Sequence, residues 1–216
     1  MDNISRGFAL SLLIILSSLF LIISLLSLIF QGAPILFTQK RIGYKYQSFD
    51  IYKFRSMKIN SGTLITKNND TRVTFLGKII RSTKIDELPQ LFNIIKGDMR
   101  FIGPRPEVAE FFDKKKFKFL KNIKPGLSDY SSILFRNETK VLNEIGGDNP
   151  YEVLIPHKLA LANYYAKRKN FILDFKLVML TLLSIVSPKI VISAFLGPEL
   201  FKELPLIKDF CNKYIF

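Results

Sequence analysis

Two adjacent acids, Asp86 and Glu87, stand at the head of a segment whose spacing reads as a helix. Leu88, Leu91, Phe92 and Ile95 repeat at i, i+3, i+4 and i+7, one face of a 3.6-residue period. Pro89 is tolerated only in a first turn, so the helix is expected to begin near Asp86. Gly97 stops it, with Lys96 at the negative end of the dipole. Free N–H groups at a helix start attract phosphate, and the same field favours the ionised, nucleophilic carboxylate. Such a carboxylate can attack phosphorus and form an acyl phosphate. Adjacent acids can also hold Mg2+, with substrate phosphates completing its shell. The plain alternative is an Asp N-cap followed by a Glu that suits the dipole.

Gly103-Pro104-Arg105-Pro106 adds a cation to that pair. Two prolines restrict the backbone around Arg105, and a planar guanidinium matches phosphate oxygens. Arg81 and Arg136 are further phosphate-binding candidates, each also readable as solvated. Other chemistries lack their residues. There is no Gly-rich phosphate loop and no dinucleotide fingerprint. One histidine, His157, and one cysteine, Cys211, do not make a zinc site. His157 reads as a surface residue, and Lys114-Lys115-Lys116 as a solvated helix face. Cys211 permits no internal disulfide, which fits a reducing compartment, and reads as an inert thiol.

The body that carries these residues comes after a long apolar run. No charged residue lies between Arg6 and Lys40, and 8–30 is almost entirely apolar. A spanning helix needs roughly 20 such residues. The run is too long for a signal-peptide core, and no small-residue cleavage site comes after it. It reads as a retained membrane segment. Lys40, Arg41, Lys45, Lys53, Arg55 and Lys58 lie just beyond it against Asp50, whereas Asp2 and Arg6 precede it. Positive charge beside a membrane segment stays cytoplasmic, so the body is expected there, where it also meets anionic headgroups. The formal net charge of +14 points to an anionic partner. Binders of nucleic acid interleave aromatic platforms with a basic groove; here the charge gathers beside the apolar run and the phosphate motif instead.

Gly32-Ala33-Pro34 separates the run from the body of the chain. Residues 35–37 and 49–54 read as strands around a basic turn at Arg41-Ile42-Gly43. Residues 60–71 read as a polar loop, 73–81 as a helix and 99–102 as a strand. A helix is expected over 107–124, ended by Pro125-Gly126; 128–136 is mixed, 146–150 a loop and 152–168 a helix. The uncharged stretch 177–186 is too short to span a bilayer, so 171–186 reads as a core helix or one lying in the interface. No internal repeat is present.

These stretches resemble the bacterial sugar transferases, the monotopic phosphoglycosyl transferases that begin polysaccharide and glycan assembly. The resemblance rests on 37–43, 51–57, Asp86-Glu87-Leu88-Pro89-Gln90-Leu91-Phe92-Asn93, 96–106 with its Gly-Pro-Arg-Pro, and Lys124-Pro125-Gly126. They keep the family's order and spacing and cover most of 8–136; beyond 136 the likeness is looser, although 171–176 also looks familial. The resemblance implies a two-step reaction. Asp86 attacks the sugar-proximal phosphorus of a UDP-sugar and UMP leaves; polyprenyl phosphate then takes the phosphosugar from the aspartyl enzyme. Glu87 would assist through Mg2+ or proton handling, both acids being metal-ligand candidates. Arg81, Arg105 and Arg136 match arginines placed around the phosphates.

The expected architecture is α/β, mixed and helix-rich: a membrane-embedded re-entrant helix over 1–38, a cytoplasmic catalytic domain over 39–170, and apolar or amphipathic membrane-associated helices over 171–216. The implied setting is the bacterial cytoplasmic membrane, with membrane lipid, a UDP-sugar donor and a polyprenyl-phosphate acceptor as partners, no nucleic acid, and a homodimer left open. Two departures stand out. The family's apolar segment usually breaks at Ser-Pro, where this chain has Ser17-Ser18. Serine bends a helix by bonding to a preceding carbonyl, more weakly than proline does. After Gly126 many relatives have Thr-Gly-Trp; this chain has Leu127-Ser128-Asp129-Tyr130, a difference expected to bear on the sugar. The competing reading, motivated by the first departure and the short N-terminus, is a catalytically idle membrane scaffold of the same fold.

Overall fold

Two helices open the chain, α1 (Asp2–Ile15) and α2 (Ser17–Gln31), bent by 62°. The structure is a computed structural model that describes residues 2–59 and 70–215; the polar loop expected over 60–71 lies almost wholly outside them. The break falls at Leu16 (φ −89°, ψ 5°), immediately before Ser17-Ser18. Those dihedrals lie in the sparsely populated bridge region, so the chain bends here without proline. Among the described residues no single helix is long and apolar enough to cross a membrane. The two arms dock on different elements. Ile23 of α2 is buried with Phe54 and with Leu76 and Ile80 of α3 (Phe75–Ser82). Ala9 of α1 is buried with Met99 and with Leu91 and Ile94 of α4 (Gln90–Lys96). Phe20, near the elbow, lies 5.5 Å from the Phe54 ring and 6.1 Å from Phe92.

Polar groups tie both ends of the bent pair to the body. Asp2 pairs with Arg100 and, at 3.0 Å, with Lys124. Arg6 donates from Nε to the Ile95 carbonyl (2.7 Å) and from Nη2 to that of Lys96 (2.9 Å). Those carbonyls end α4 and have no partner within it. At the far end Arg55 donates to the carbonyls of Gln31 (2.5 Å) and Gly32 (2.7 Å).

Strands β1 (Leu36–Ile42) and β2 (Ser48–Phe54) form an antiparallel hairpin, Leu36 opposite Phe54. The basic turn comes later than the sequence suggests. Arg41 and Ile42 belong to β1, and the chain reverses over 43–47, where Lys45 and Tyr46 take φ of 54° and 64°. Partners remote in sequence extend the strand: Ile42 N–H donates to the Glu107 carbonyl (2.8 Å) and Arg41 Nη1 to that of Pro106 (3.1 Å). Helix α3 starts at Thr74, whose Oγ1 accepts from Gly77 N–H at 2.9 Å, an ordinary N-cap.

Strands β3 (Arg100–Ile102) and β4 (Gly126–Ser128) pair in parallel. Gly103 and Gly126 let the two chains cross closely: a Cβ on Gly126 would stand 2.1 Å from the Gly103 nitrogen. The helix expected over 107–124 does not form. Short 3-10 turns occur at Ala109–Phe111 and Lys118–Lys121. Between them Asp113 accepts from Lys115 N–H through Oδ1 (2.8 Å), while its carbonyl accepts from Lys116 and Phe117. A side chain competing for local N–H groups in this way favours a turn over a helix.

The rest is helical: α5 (Tyr130–Leu134), α6 (Glu138–Ile145), α7 (Pro150–Arg168), α8 (Phe171–Val186), α9 (Pro188–Ile190), a π-helical stretch Val191–Leu196, α10 (Gly197–Glu203) and α11 (Pro205–Tyr214). Leu154, Leu161 and Tyr165 of α7, Leu177 and Leu180 of α8, and Ile207 of α11 share one core with Ile102 and Leu120. Among the described residues the fold is thus mixed, helix-rich α/β with two small sheets. His157, expected at the surface, is half-buried with its ring 4.0 Å from that of Phe210. Cys211 is buried, and burial pushes its thiol up to about 12.

The two arginines that hold the helix pair differ in burial: Arg55 is 7% exposed, whereas Arg6 faces solvent. Arg55→Met leaves half-buried carbonyls without their donor and is expected to cost about 2–3 kcal/mol, whereas Arg6→Gln costs about 1 kcal/mol or less. Thermal unfolding in detergent checks the order; equal losses would mean that the Gln31 and Gly32 carbonyls do not depend on Arg55.

Candidate active site

Lys84 turns the chain out of α3 with a left-handed backbone (φ 62°), a conformation that non-glycine residues seldom adopt. Ile85–Glu87 then form a 3-10 turn, with Glu87 N–H donating to the Lys84 carbonyl (3.1 Å). Helix α4 begins only after Pro89, which itself occupies the cap. Asp86 therefore sits a turn ahead of the helix rather than at its N-cap. The reason is Lys84: the reversal there starts a tight turn before α4 can begin. Burial, not a helix dipole, dominates the environment of Asp86.

The two neighbouring acids are treated differently. Glu87 Oε1 accepts from Lys53 Nζ (3.0 Å) and Arg105 Nη2 (2.5 Å), and Oε2 from Arg105 Nη1 (3.3 Å). Burial alone would raise this carboxyl, but the charges of Arg105, Lys53 and Lys84 outweigh it and hold it well below the usual range. The same contact raises the Arg105 guanidinium, so that its charge is fixed. Asp86 is buried, and among the described residues its Oδ1 has no hydrogen-bond partner. Burial raises its carboxyl, opposed by Lys53, while the Glu87 charge raises it further.

The arginines expected around the phosphates gather at this pair. Arg105 contacts Glu87 directly. Arg81, in the last turn of α3, acts electrostatically on Asp86. Arg136 lies just after α5, half-buried; burial lowers its guanidinium and the Glu87 charge raises it. Lys53 and Lys84 complete the group and were not among the residues expected there. Lys53 is readable in the sequence only as juxtamembrane charge, because it stands 34 residues before Glu87 on a strand whose packing local spacing does not reveal. Lys84 stands two positions before Asp86 and carries no motif of its own.

The loop that presents Arg105 is fixed from behind. Arg105 N–H donates to Asp129 Oδ2 (3.4 Å) and Nη1 to the Leu127 carbonyl (3.3 Å). Asp129 also caps α5, accepting from Ser132 N–H at 2.7 Å. Glu107 accepts from Tyr151 Oη (2.6 Å), which in turn accepts from Lys158 (3.2 Å), and Lys158 pairs with Glu138 (2.8 Å). Fixed donors of this kind, around a carboxylate with a spare oxygen, suit stabilisation of a multiply charged phosphate group in transfer.

The family model described as Bacterial sugar transferase matches residues 3–188. This chain belongs to the bacterial sugar transferase family. It is 36% identical over 162 residues to the UDP-N-acetylgalactosamine-undecaprenyl-phosphate N-acetylgalactosaminephosphotransferase of Aeromonas hydrophila, a match covering 71% of this chain and 36% of that relative. It is 31% identical over 179 residues to a UDP-glucose:undecaprenyl-phosphate glucose-1-phosphate transferase of Klebsiella pneumoniae, covering 79% and 36%. It is 32% identical over 160 residues to exopolysaccharide production protein ExoY of Rhizobium meliloti, covering 64% and 70%. The chain thus spans about a third of the length of the first two relatives. In this family member the matched residues contain the whole Asp86–Arg136 group and all of the bent helix pair but Asp2.

The Glu87 ion pairs have a pH signature. A carboxyl held below its ordinary 4.5 stabilises the fold fully above that value and loses the contribution as pH falls through the folded value. Glu87→Gln is expected to cost about 2 kcal/mol at neutral pH, and to flatten the decline in melting temperature below about pH 4.5. An unchanged acid slope would show that the pair does not carry this linkage.

Proposed function

We propose that this sugar transferase moves a sugar-1-phosphate from a UDP-sugar to polyprenyl phosphate through a covalent aspartyl-phosphosugar intermediate. The observation that carries the reading is the pairing of a buried, partly unsatisfied Asp86 with a Glu87 already neutralised by Arg105 and Lys53. In the first step an Asp86 carboxylate oxygen forms a bond to the sugar-proximal phosphorus. The bond from that phosphorus to the bridging oxygen breaks, and UMP leaves with the electron pair. In the second, an oxygen of polyprenyl phosphate attacks the same phosphorus, the Asp86 oxygen–phosphorus bond breaks, and the carboxylate is restored. Arg81, Arg105 and Arg136, with Lys53 and Lys84, bind and orient the anionic oxygens throughout. Glu87 holds Arg105 and Lys53 in place.

Magnesium fits the donor set. Among the described residues no three His, Cys, Asp or Glu side chains converge on one point, but Mg2+ needs only one or two carboxylates beside water and phosphate oxygens. Asp86 Oδ1 is a buried acceptor without a partner. Glu87 Oε2 accepts only from Arg105 Nη1 (3.3 Å) and keeps a lone pair, so Asp86 and Glu87 are the ligands we assign. The ion supplies neutralisation of diphosphate charge when bound.

The bacterial cytoplasmic membrane is the proposed setting, the body on its cytoplasmic face. Ile15, Ile29 and Phe30 of the bent pair and Phe171, Ile172 and Val186 of α8 are exposed apolar side chains suited to lipid. Both ends of the pair bond to the same body, at Arg100 and Lys124 on one side and Arg55 on the other. That supports a re-entrant course, with both ends on one side. In Asn3→Cys the new thiol is then expected to react from the cytoplasmic side only, with little background from buried Cys211; labelling solely from outside intact cells would sink the re-entrant course.

Intact-mass measurement after incubation with Mg2+ and a panel of UDP-sugars tests the chemistry. The panel begins with UDP-N-acetylgalactosamine, after the name of the Aeromonas relative. A sugar-phosphate adduct is expected, absent in Asp86→Asn. Because burial disfavours the ionised Asp86 in the fold, that variant is expected to melt no lower than the wild type at pH 7 without ligand. Neither adduct nor UMP release with any donor would favour the idle scaffold instead.

A further inference from the structure

Gln90 is fully buried, and among the described residues neither its Nε2 nor its Oε1 has a hydrogen-bond partner. A buried amide left in this state is costly, because both its donor and its acceptor have lost water without replacement. The same helix shows that the cost is avoidable. Asn93, one turn further along α4 and equally buried, accepts from Tyr52 N–H (3.1 Å) and donates to the Asp50 carbonyl (2.7 Å). Leucine or methionine would fill position 90 without orphaned atoms, beside Leu91 and Ile94, which are already core.

The complementary orphan stands one turn away. The 3-10 turn Ile85–Glu87 passes through Leu88 (φ −55°, ψ −36°) and Pro89 (φ −60°, ψ −14°) into α4 without leaving right-handed helical space. Asp86 and Gln90 therefore stand four residues apart on one right-handed run whose backbone bonds, such as Leu88 N–H to the Ile85 carbonyl and Leu91 N–H to that of Leu88, are of the tight 3-10 kind, so the two side chains lie little more than one turn apart. Asp86 Oδ1 lacks a donor and Gln90 Nε2 lacks an acceptor. A carboxylate oxygen has two lone pairs, so accepting from Gln90 leaves room for a metal or a phosphorus on the other side.

We infer that Gln90 is a positioning residue for Asp86: its Nε2 donates to the Asp86 carboxylate in the substrate-bound enzyme and fixes the direction from which the free oxygen meets phosphorus. The inference rests on the transferase reading proposed for Asp86. Gln90 touches no substrate and acts through Asp86 alone, so its loss affects the chemical step more than donor binding.

The test uses the full-length wild type, Gln90→Leu and Gln90→Met in detergent or nanodiscs. Melting temperature is measured without ligand, then UMP release and adduct formation with Mg2+ and the UDP-sugar that the wild type accepts. The expected result is a melting temperature equal to the wild type or a few degrees higher, with kcat lower by about 10- to 100-fold and KM for the donor within about threefold. A purely structural glutamine would give the reverse, a lower melting temperature and activity that tracks the folded fraction; that outcome overturns the inference, as does full activity in both variants. A wild type that releases no UMP from any donor takes down the transferase reading and this inference with it. An active wild type beside fully active variants takes down the inference alone.

Discussion

Glu87 joins three stretches of chain that are far apart in sequence. Lys53 arrives on β2, Arg105 on the loop after β3, and Glu87 itself on the turn before α4. Each needs the others. Without the acid, two partly buried cations would face each other across the same space; without the cations, burial would protonate the acid. Once Glu87 is committed, its neighbour is released from structural duty. Asp86 keeps an unpaired oxygen and a carboxyl displaced upward, in the opposite direction from Glu87. Two adjacent carboxylates pushed apart in this way suit the separate roles proposed for them, one organising charge and the other available to react.

The bent helix pair is attached by a second use of guanidinium. Arg6 and Arg55 each meet carbonyls that a helix end leaves without partners. Arg55 belongs to the body and seizes the end of α2; Arg6 belongs to α1 and seizes the end of α4. The two contacts tie the apolar pair to different parts of the body, α1 through Arg6 to α4 and α2 to Arg55, the residue after β2. Helix α4 is gripped at its C-terminal end by α1, while the turn running into its N-terminal end carries Asp86.

Much of this was legible in the sequence, and the failures share a cause. The stripe Leu88, Leu91, Phe92 and Ile95, with Pro89 and Gly97, marked α4 because periodicity and breakers are local. The apolar run and its break near Ser17-Ser18 were legible for the same reason. The site was half legible: Asp86, Glu87 and Arg105 stand in compact motifs, whereas Lys53 joins only through the tertiary fold and Lys84, two positions from Asp86, belongs to no motif. The N-cap assigned to Asp86 was misplaced by a turn because the left-handed backbone at Lys84 has no glycine to announce it. The missing helix over 107–124 failed on Asp113, whose carboxylate captures local N–H groups, an effect that apolar spacing does not register. The turn after β1 slipped because Glu107, remote in sequence, extends the strand to Ile42.

Local rules are broken in several places: Lys45 and Tyr46 take positive φ, and Ser27, Gln31 and Arg55 carry buried side-chain atoms without partners among the described residues. One such set adjoins the acid pair. Lys84 holds a left-handed backbone without glycine, Asp86 is a buried carboxylate short of a partner, and Gln90 is a buried amide with none. All three lie within the short stretch 84–90, beside an Asn93 that is fully satisfied. A segment optimised only for folding would resemble Asn93 throughout, since each exception has a conservative remedy: glycine at 84, asparagine at 86, leucine at 90. Consistency across levels is the ordinary condition of a foldable sequence, and functional or strained sites are where it is expected to fail. At 84–90 the exceptions stand at and beside the acid pair, which supports the proposed reading of the turn leading into α4 as a ligand site.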